Sequence, residues 1–225
     1  MKLKEHYNEL YINALQKIDR DQYETDDLIA SPADNRFGLT LLIRPGDEVK
    51  KRIRTFLEEL KTIDPNQYFY PDADIHLTVM SIISCYDGFK LTQVDKEAYI
   101  EVIQASLPGA ENLEVKFEGI TASPSCVMVC GFANRYLDEL RNNLRVNFRN
   151  SALEQSIDKR YSIRTAHSTV IRFKNRLRRK NDWLKILEMY RRFHFGSFTP
   201  DSIELVFNDW YQRAEKTKLL HRFTL

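Results

Sequence analysis

The order of predicted secondary-structure elements repeats once along this chain, and that repetition limits the possible folds more than any other feature. Apolar periodicity predicts a helix, a strand, a second helix and two further strands, and the same five elements recur about 90 residues later. The first set covers residues 47–61, 76–83, 92–106, 113–121 and 126–132. The second set covers residues 136–150, 167–173, 181–194, 202–207 and 218–225. We expect two such copies to pack as two lobes related by an approximate two-fold axis, with equivalent residues facing each other.

Two further elements precede the repeated sets. Residues 7–18 show the apolar period of an amphipathic helix, and a polar segment follows it to about Asn35. Residues 37–45 alternate in hydrophobicity and end at a Pro-Gly pair, which predicts a strand followed by a turn. We therefore expect the N-terminal helix to be an appendage to the duplicated fold.

The composition is that of a globular chain. With 225 residues, 43% of them hydrophobic, the sequence has enough apolar material for a core, which excludes a disordered chain. No apolar stretch reaches the roughly 18 residues that a membrane-spanning helix requires, and residues 1–10 lack the apolar region of a secretory signal. We expect a soluble, cytoplasmic protein with no membrane association. Cys85, Cys126 and Cys130 are expected to be reduced thiols in the core.

Charge is distributed unevenly along the chain. The net charge is +2, yet residues 1–110 carry an acidic excess and residues 111–225 carry a basic excess. The densest basic run lies within residues 174–180, in a predicted loop. Such a run either contacts a polyanion or is solvated surface, and charge alone leaves both interpretations open.

One motif occurs in both copies at the same place. The first set contains His-Leu-Thr-Val at residues 76–79, and the second contains His-Ser-Thr-Val at residues 167–170. A single His-x-Thr triplet in a strand is more often a hydrogen-bonded structural pair than a site. With only 5 histidines in the chain, however, chance rarely produces two triplets in equivalent positions of a repeat. The pair therefore favours a functional site.

Strand geometry explains why these residue types occur at this spacing. Side chains two residues apart point to the same face of a strand, so each motif projects one imidazole and one hydroxyl together. Leu77, Val79 and Val170 point the other way, into a core. Two such strands related by the approximate two-fold axis would place two imidazoles and two hydroxyls around one cleft.

This set of groups suits phosphodiester chemistry. An imidazole with a pKa near 6.5 can accept a proton from water when neutral or give one to a leaving oxygen when protonated. The threonine hydroxyls can donate hydrogen bonds to the non-bridging phosphate oxygens. The sequence has no Walker loop and no HExxH, CxxC or GxGxxG motif, so we expect no cofactor and no catalytic metal.

The paired motifs HLTV and HSTV resemble those of the 2H phosphoesterase superfamily, which includes bacterial 2′-5′ RNA ligase-like proteins and 2′,3′-cyclic nucleotide phosphodiesterases. The resemblance covers roughly residues 36–225. It divides the chain into an N-terminal helix and polar segment, residues 1–35, and a single bilobal 2H phosphoesterase-like domain, residues 36–225. The implied fold is α+β, a pseudo-two-fold duplicated domain in which antiparallel sheets line a central cleft and helices lie outside.

The resemblance also implies roles for individual residues. His76 and His167 match the catalytic histidines of the superfamily, and Thr78 and Thr169 match its phosphate-binding hydroxyls. Arg172, five residues after the second histidine, matches a basic residue that often follows the motif. Plain strand alternation places Arg172 on the face opposite His167, so a role in phosphate binding requires the strand to bend or end there.

Other candidate residues carry weaker signals. The aromatic run at residues 68–70 either stacks on a substrate base or belongs to the core, and Tyr70 is assigned to substrate binding. His194 ends a predicted helix, where a cationic side chain suits the helix dipole, and a structural role is favoured. His221 lies in the last predicted strand and is also interpreted as structural, while His6 lies outside the repeat.

Three functions are compatible with these residues. The leading hypothesis is a metal-independent phosphodiesterase that acts on the 2′,3′-cyclic phosphate of nucleotides or RNA ends by two-histidine acid–base catalysis. The second is 2′-5′ RNA ligation, the reverse chemistry through the same groups. The third is a non-catalytic module that binds RNA or a phosphorylated small molecule in the cleft. The expected partner is a nucleotide or RNA end that carries a cyclic phosphate or a 2′-5′ linkage.

Overall fold

The structure is a computed structural model that describes residues 2–160 and 162–225. Within those residues the chain forms five α-helices and nine β-strands in two sheets. The helices are α1 (Leu3–Asp19), α2 (Asp47–Ile63), α3 (Lys96–Gln104), α4 (Arg135–Asn150) and α5 (Lys180–Met189). The strands are β1 (Arg36–Ile43), β2 (Tyr68–Phe69), β3 (Leu77–Asp87), β4 (Val115–Ser123), β5 (Cys126–Ala133), β6 (Ser168–Arg172), β7 (His194–Phe198), β8 (Ser202–Asp209) and β9 (Lys218–Thr224).

Each lobe is built around one antiparallel sheet. The first sheet has the strand order β3-β1-β8-β9, and the second has the order β2-β6-β5-β4-β7. Neighbouring strands in both sheets run antiparallel. The motif strands β3 and β6 lie in different sheets, so the two motifs reach the space between the lobes from opposite sides. This arrangement confirms the α+β fold with antiparallel sheets around a cleft.

The two lobes do not coincide with the two repeated sets. Strand β3 comes from the first set, but the hairpin β8-β9 in its sheet comes from the second. Strand β6 comes from the second set and pairs with β5, which belongs to the hairpin β4-β5 of the first. The helices follow the same exchange, since α4 packs on β3 and α2 packs beside β6 and β7. Each copy therefore contributes to both lobes.

Apolar stripes hold the helices on the sheets. The buried residues of α2 recur with the helical period and are Val49, Ile53, Phe56, Leu57 and Leu60. The buried face of α4 has the same spacing and comprises Leu137, Leu140, Arg141, Leu144 and Phe148. Full burial of one such apolar side chain contributes about 1.5–3 kcal/mol relative to exposure. Packing on the sheets, more than helix propensity, therefore fixes these helices in place.

The N-terminal helix takes part in the packing of the second lobe. Helix α1 lies against β4 and buries Tyr7, Tyr11, Ala14 and Ile18 along one face. Tyr11 and Ile18 join the main apolar core. The helix that was expected to be an appendage thus closes one side of the second sheet.

Local differences from the predicted elements lie at short strands and element ends. Strand β2 is only 2 residues long, which is too short to show a periodic pattern. The helix predicted over residues 181–194 ends at Met189, and residues 194–198 form β7 beside β4. The prediction that His194 ends a helix is therefore wrong, because pairing with β4 decides the conformation of this segment.

Several side chains interpreted as structural can now be placed. Cys126 and Cys130 are buried and Cys85 is half-buried, all three as free thiols. His221 lies in β9, where its ring centroid is 4.5 Å from that of Phe223. Among the residues that the structure describes, none of the helices has the length and hydrophobicity required to cross a membrane.

Candidate active site

The ring of His76 is fixed by the backbone of its own segment. His76 immediately precedes β3, and its Nδ1 lies 2.6 Å from the carbonyl oxygen of Asp74. Because a carbonyl oxygen only accepts hydrogen bonds, Nδ1 carries the proton and Nε2 is the acceptor. The Asp74 carboxylate in turn accepts a hydrogen bond from the backbone N–H of Ala214 at 2.8 Å. His76 is 9% exposed, so little of the ring reaches solvent.

His167 is held by a different kind of partner. It immediately precedes β6, and its Nδ1 lies 2.7 Å from the Thr165 hydroxyl. A hydroxyl can donate or accept, so this contact allows either tautomer of the ring. The two histidines therefore occupy equivalent positions of the repeat but differ in how freely Nε2 can carry a proton.

Both motifs line one cleft of about 180 Å³ between the sheets. All six residues that the sequence indicates as catalytic or substrate-binding contribute to its walls, namely Tyr70, His76, Thr78, His167, Thr169 and Arg172. The convergence of two distant chain segments on one space, expected from the repeat, is thus present in the structure. The catalytic and binding roles of these residues stay predictions.

A β-bulge in each motif strand determines which side chains reach the cleft. In β3, Leu42 pairs with Thr78 and Leu41 with Met80, which leaves Val79 as an extra residue. In β6, the corresponding extra residue is Val170. Each bulge reverses the alternation that follows it, so the fifth residue after each histidine returns to the cleft side. These fifth residues are Ser81 and Arg172, and both line the cleft.

Arg172 therefore reaches the cleft because its strand contains a bulge. This is the departure from regular alternation that a role for Arg172 in the cleft requires. Its Nε donates to the Tyr70 hydroxyl at 3.0 Å, and its guanidinium carbon lies 5.4 Å from the centroid of the Tyr211 ring. No carboxylate in the described residues forms a salt bridge with Arg172, so its outer N–H groups can bind an anion. Tyr70 is only 3% exposed, and its hydroxyl orients Arg172 while its ring packs at 78° on Tyr68.

Arg141 is a buried cation in this region that the sequence interpretation missed. Its Nε donates to the Val79 carbonyl at 2.9 Å, and its Nη2 donates to the carbonyls of Thr78 at 3.0 Å and Thr165 at 2.8 Å. The first two carbonyls belong to the bulge in β3, and the third lies two residues before His167. Arg141 is 1% exposed, and burial lowers the pKa of its guanidinium to about 10. A lone arginine in the apolar stripe of α4 is the signal that could have identified it.

Two loops complete the mouth of the cleft. One is the segment that follows α4, in which Ser156 donates its backbone N–H to the Ile82 carbonyl of β3 at 2.8 Å. Asp158 of the same loop is held by Arg145 at 2.6 Å. The turn after β8 contributes Trp210. None of these residues has a sequence pattern that marks it, because the fold alone brings them to the motifs.

Burial controls the charge of both histidines. It lowers the pKa of His76 to about 4 from the ordinary 6.5, and the positive charges of Arg44 and Arg172 act in the same direction. Burial also lowers the pKa of His167 to about 4, with further lowering by His76, Arg141 and Arg172. Both rings are therefore neutral at pH 7. The described residues include no group of three or more His, Cys, Asp or Glu side chains that could hold a metal ion.

We expect Arg141→Met to destabilise the protein, because three buried carbonyl oxygens would lose their donor. Buried polar groups left unpaired cost about 1–3 kcal/mol each, so the free energy of unfolding should fall by about 3 kcal/mol or more. Urea denaturation followed by circular dichroism measures this change. Arg149→Met, at an exposed position near the end of the same helix, is the matched control and should leave stability unchanged. Equal stability of the two variants would contradict the assigned role of Arg141.

Comparison with known proteins identifies the fold. No protein-family model and no curated protein sequence matches the chain. Among solved structures, TT0787 of Thermus thermophilus is 16% identical, with a TM-score of 0.56 over 83% of this chain and 97% of that one. A phosphoesterase is 16% identical, with a TM-score of 0.52 over 85% of this chain and 99% of its own. E. coli LigT complexed with 3′-AMP is 14% identical, with a TM-score of 0.54 over 85% and 99% of the two chains. The chain therefore has the fold of these members of the 2H phosphoesterase superfamily, which is the fold that its paired motifs imply.

Proposed function

We propose that this protein is a metal-independent phosphodiesterase that opens the 2′,3′-cyclic phosphate of nucleotides or RNA ends by two-histidine acid–base catalysis. The observation that carries the proposal is the cleft itself, in which two imidazoles with anchored Nδ1 atoms meet two threonine hydroxyls and the Arg172 guanidinium. Acid, base and anion-binding groups are thus present together in one small space, which is the set that hydrolysis of a phosphodiester requires.

The different Nδ1 partners of the two histidines favour His76 as the general base and His167 as the general acid. His76 has its proton fixed on Nδ1 by the Asp74 carbonyl, so its Nε2 lone pair suits the general base that takes a proton from water. When His167 is protonated, its Nδ1–H can donate to the Thr165 hydroxyl oxygen, and its Nε2–H can give the proton that the leaving oxygen receives. Water then forms the new P–O bond as the ring ester bond breaks, with one proton gained by His76 and one given by His167. Thr78 and Thr169 would donate to the non-bridging oxygens.

The structural neighbours support the same class of ligand. LigT structures are complexed with 3′-AMP and with phosphate, and a further neighbour is a phosphoesterase. A nucleoside 3′-monophosphate is one of the two possible products when water opens a 2′,3′-cyclic phosphate. This agrees with a substrate in which the phosphate lies on a ribose.

The main test is an assay of turnover with a chelator present throughout. The panel comprises 2′,3′-cyclic nucleotides, RNA ends with a cyclic phosphate, and 2′-5′ linked dinucleotides. We expect cleavage of the cyclic phosphates and a loss of at least about 10³-fold in kcat for His76→Ala and for His167→Ala, because each removes one proton-transfer group. His194→Gln, at an exposed position at the start of β7, is the control and should retain full activity.

Each outcome of this assay has a distinct meaning. Full activity in both alanine variants would end the two-histidine proposal, and turnover that the chelator abolishes would end its metal independence. Joining of RNA halves that carry a cyclic phosphate and a 5′-hydroxyl would indicate ligation. Phosphate-dependent binding without any turnover, unchanged in both variants, would indicate a non-catalytic module.

The lowered pKa values of the two histidines predict an acid-shifted profile for kcat/KM. The active form needs one neutral and one protonated ring, yet both pKa values are about 4 in the free cleft. Above that range the singly protonated form becomes about tenfold rarer per pH unit, so kcat/KM should fall as the pH rises from 5 to 8. The bound phosphodiester anion favours an imidazolium and raises both pKa values, so kcat should stay high to a higher pH. A kcat/KM that rises between pH 5 and 7 would contradict this assignment. The apparent pKa values of the profile belong to the coupled pair of histidines and not to either residue alone.

The mouth of the cleft offers an aromatic surface for a base. The Trp210 ring lies with its centroid 4.8 Å from the guanidinium carbon of Arg36 and 4.4 Å from that of Arg160. Arg36 is fixed by Asp34 at 2.7 Å, whereas Arg160 is exposed and forms no salt bridge within the described residues. Displacement of Arg160 would free the Trp210 ring at the edge of the site. This favours a nucleotide over a simple phosphodiester as substrate.

Trp210→Leu is therefore expected to weaken the binding of nucleotides selectively. Stacking of a base on an aromatic side chain contributes about 1–3 kcal/mol, so the KM for adenosine 2′,3′-cyclic phosphate should rise about tenfold or more. The matched control is the substrate glycerol 1,2-cyclic phosphate, which has the same reacting ring but no base and should show an unchanged KM. A KM that changes equally for both substrates would exclude Trp210 as the base-binding surface.

A further inference from the structure

The backbone just before His167 is held by a residue far away in sequence. The β5–β6 pairing ends at Val129 and Ser168, although the two segments of backbone continue side by side to Gly131 and Ala166. A Cβ atom at Gly131 would overlap the carbonyl of Ala166, so glycine permits this close approach. Beyond the last β5–β6 residue pair, the hydroxyl of Tyr7 joins the two segments by hydrogen bonds.

Tyr7 bridges the two strands through one hydroxyl. The hydroxyl donates to the Gly131 carbonyl at 3.0 Å and accepts from the Ala166 backbone N–H at 3.2 Å. Tyr7 is 2% exposed, its ring packs edge-on to Phe132, and its own carbonyl accepts from the Thr121 hydroxyl at 2.9 Å. Burial raises the pKa of the Tyr7 phenol, so the hydroxyl keeps the proton that it donates.

The same short segment is held from a second side. Arg141 on α4 donates to the Thr165 carbonyl at 2.8 Å, and the Thr165 hydroxyl contacts Nδ1 of His167 at 2.7 Å. The Thr165 carbonyl and the Ala166 N–H belong to the same peptide group, which is therefore bonded to two helices, one in each lobe. Its position determines where the His167 ring lies. The ring of His76 is anchored instead by the Asp74 carbonyl, and among the described residues no hydrogen bond joins it to α1.

From these contacts we propose that Tyr7 is a positioning residue that sets the place of His167 in the cleft, an inference that rests on the proposed function for its catalytic consequence. The N-terminal helix α1 then serves the reaction by delivering a hydroxyl to the peptide group that precedes the second histidine. It acts on one histidine of the pair and leaves the other alone.

Tyr7→Phe tests this proposal because it keeps the buried ring and removes only the hydroxyl. We expect kcat on a 2′,3′-cyclic nucleotide to fall about tenfold or more while KM stays within about twofold, since a small displacement of a catalytic group slows chemistry more than binding. In an NMR titration of the histidine ring carbons, the pKa of His167 should move back toward 6.5 as the loosened segment admits water, and that of His76 should not rise with it. Tyr11→Phe is the matched control, because it removes a hydroxyl from the same helix that contacts Glu188 instead.

The outcomes separate a positioning role from a purely structural one. Selective changes in kcat and in the His167 titration with Tyr7→Phe support the proposal. An unchanged kcat and an unchanged His167 pKa in Tyr7→Phe would overturn it. So would losses of kcat in Tyr7→Phe and Tyr11→Phe that simply follow the drop in melting temperature of each variant. The titration needs no turnover, so it decides the positioning role even if the wild type cleaves no cyclic phosphate.

Hydrogen exchange of the wild type gives a readout that needs no variant. The Ala166 amide lies beyond the last β5–β6 pair, yet its bond to Tyr7 predicts protection comparable with that of the paired amides of β6. Rapid exchange of the Ala166 amide would show that the Tyr7 bridge does not hold this segment, and the proposal would fail.

Discussion

The buried guanidinium of Arg141 is the interaction on which the geometry of the cleft depends. It joins the bulged strand β3 to the segment before β6 through three carbonyl oxygens, so the two motifs are tied to one rigid group. Removing a charge from water costs several kcal/mol, and within the described residues no carboxylate forms a salt bridge with Arg141. The cost is offset by the three hydrogen bonds that the guanidinium donates to backbone carbonyls. An apolar residue could fill the same volume, but it could not hold the two motif strands at a fixed separation.

The duplication supplies two similar half-sites, and their differences make the cleft directional. The fifth residue after each histidine is Ser81 on one side and Arg172 on the other, both delivered by a bulge at the same register. The anchor of Nδ1 is a carbonyl for His76 and a hydroxyl for His167. A symmetric cleft would bind an asymmetric ester in two orientations. One deeply placed cation, Arg172, and two unlike anchors would favour one orientation of the proposed substrate, in which the anionic oxygens face Arg172.

Much of this arrangement follows from local pattern, and the rest depends on contacts between distant residues. The helical period and the strand alternation predicted the long helices and strands, because each of these elements has one apolar face that is buried in the core. The bulges at Val79 and Val170 could not be predicted, since both residues are ordinary strand formers and the extra residue is defined only by the partner strand. The exchange of hairpins between lobes depends on pairing with β1 and β6, and the strand at residues 194–198, which was not predicted, depends on pairing with β4. Arg141 was visible in the sequence as a polar residue in an apolar stripe, but its three acceptors lie in other elements.

The basic run at residues 174–180 illustrates how a charge pattern can serve packing rather than binding. Arg176 donates to the backbone carbonyls of Asp21 and Tyr23, and Lys180 contacts the Asp19 carbonyl and the Asp21 carboxylate. Arg179, which immediately precedes α5, pairs with Asp182 in that helix. Arg176 and Lys180 thus fasten the N-terminal segment to the second lobe, so this part of the basic run serves packing. For the proposed phosphodiester substrate, we expect recognition of the anion to depend on the two arginines that line the cleft, Arg160 and Arg172, of which Arg172 is the more deeply buried.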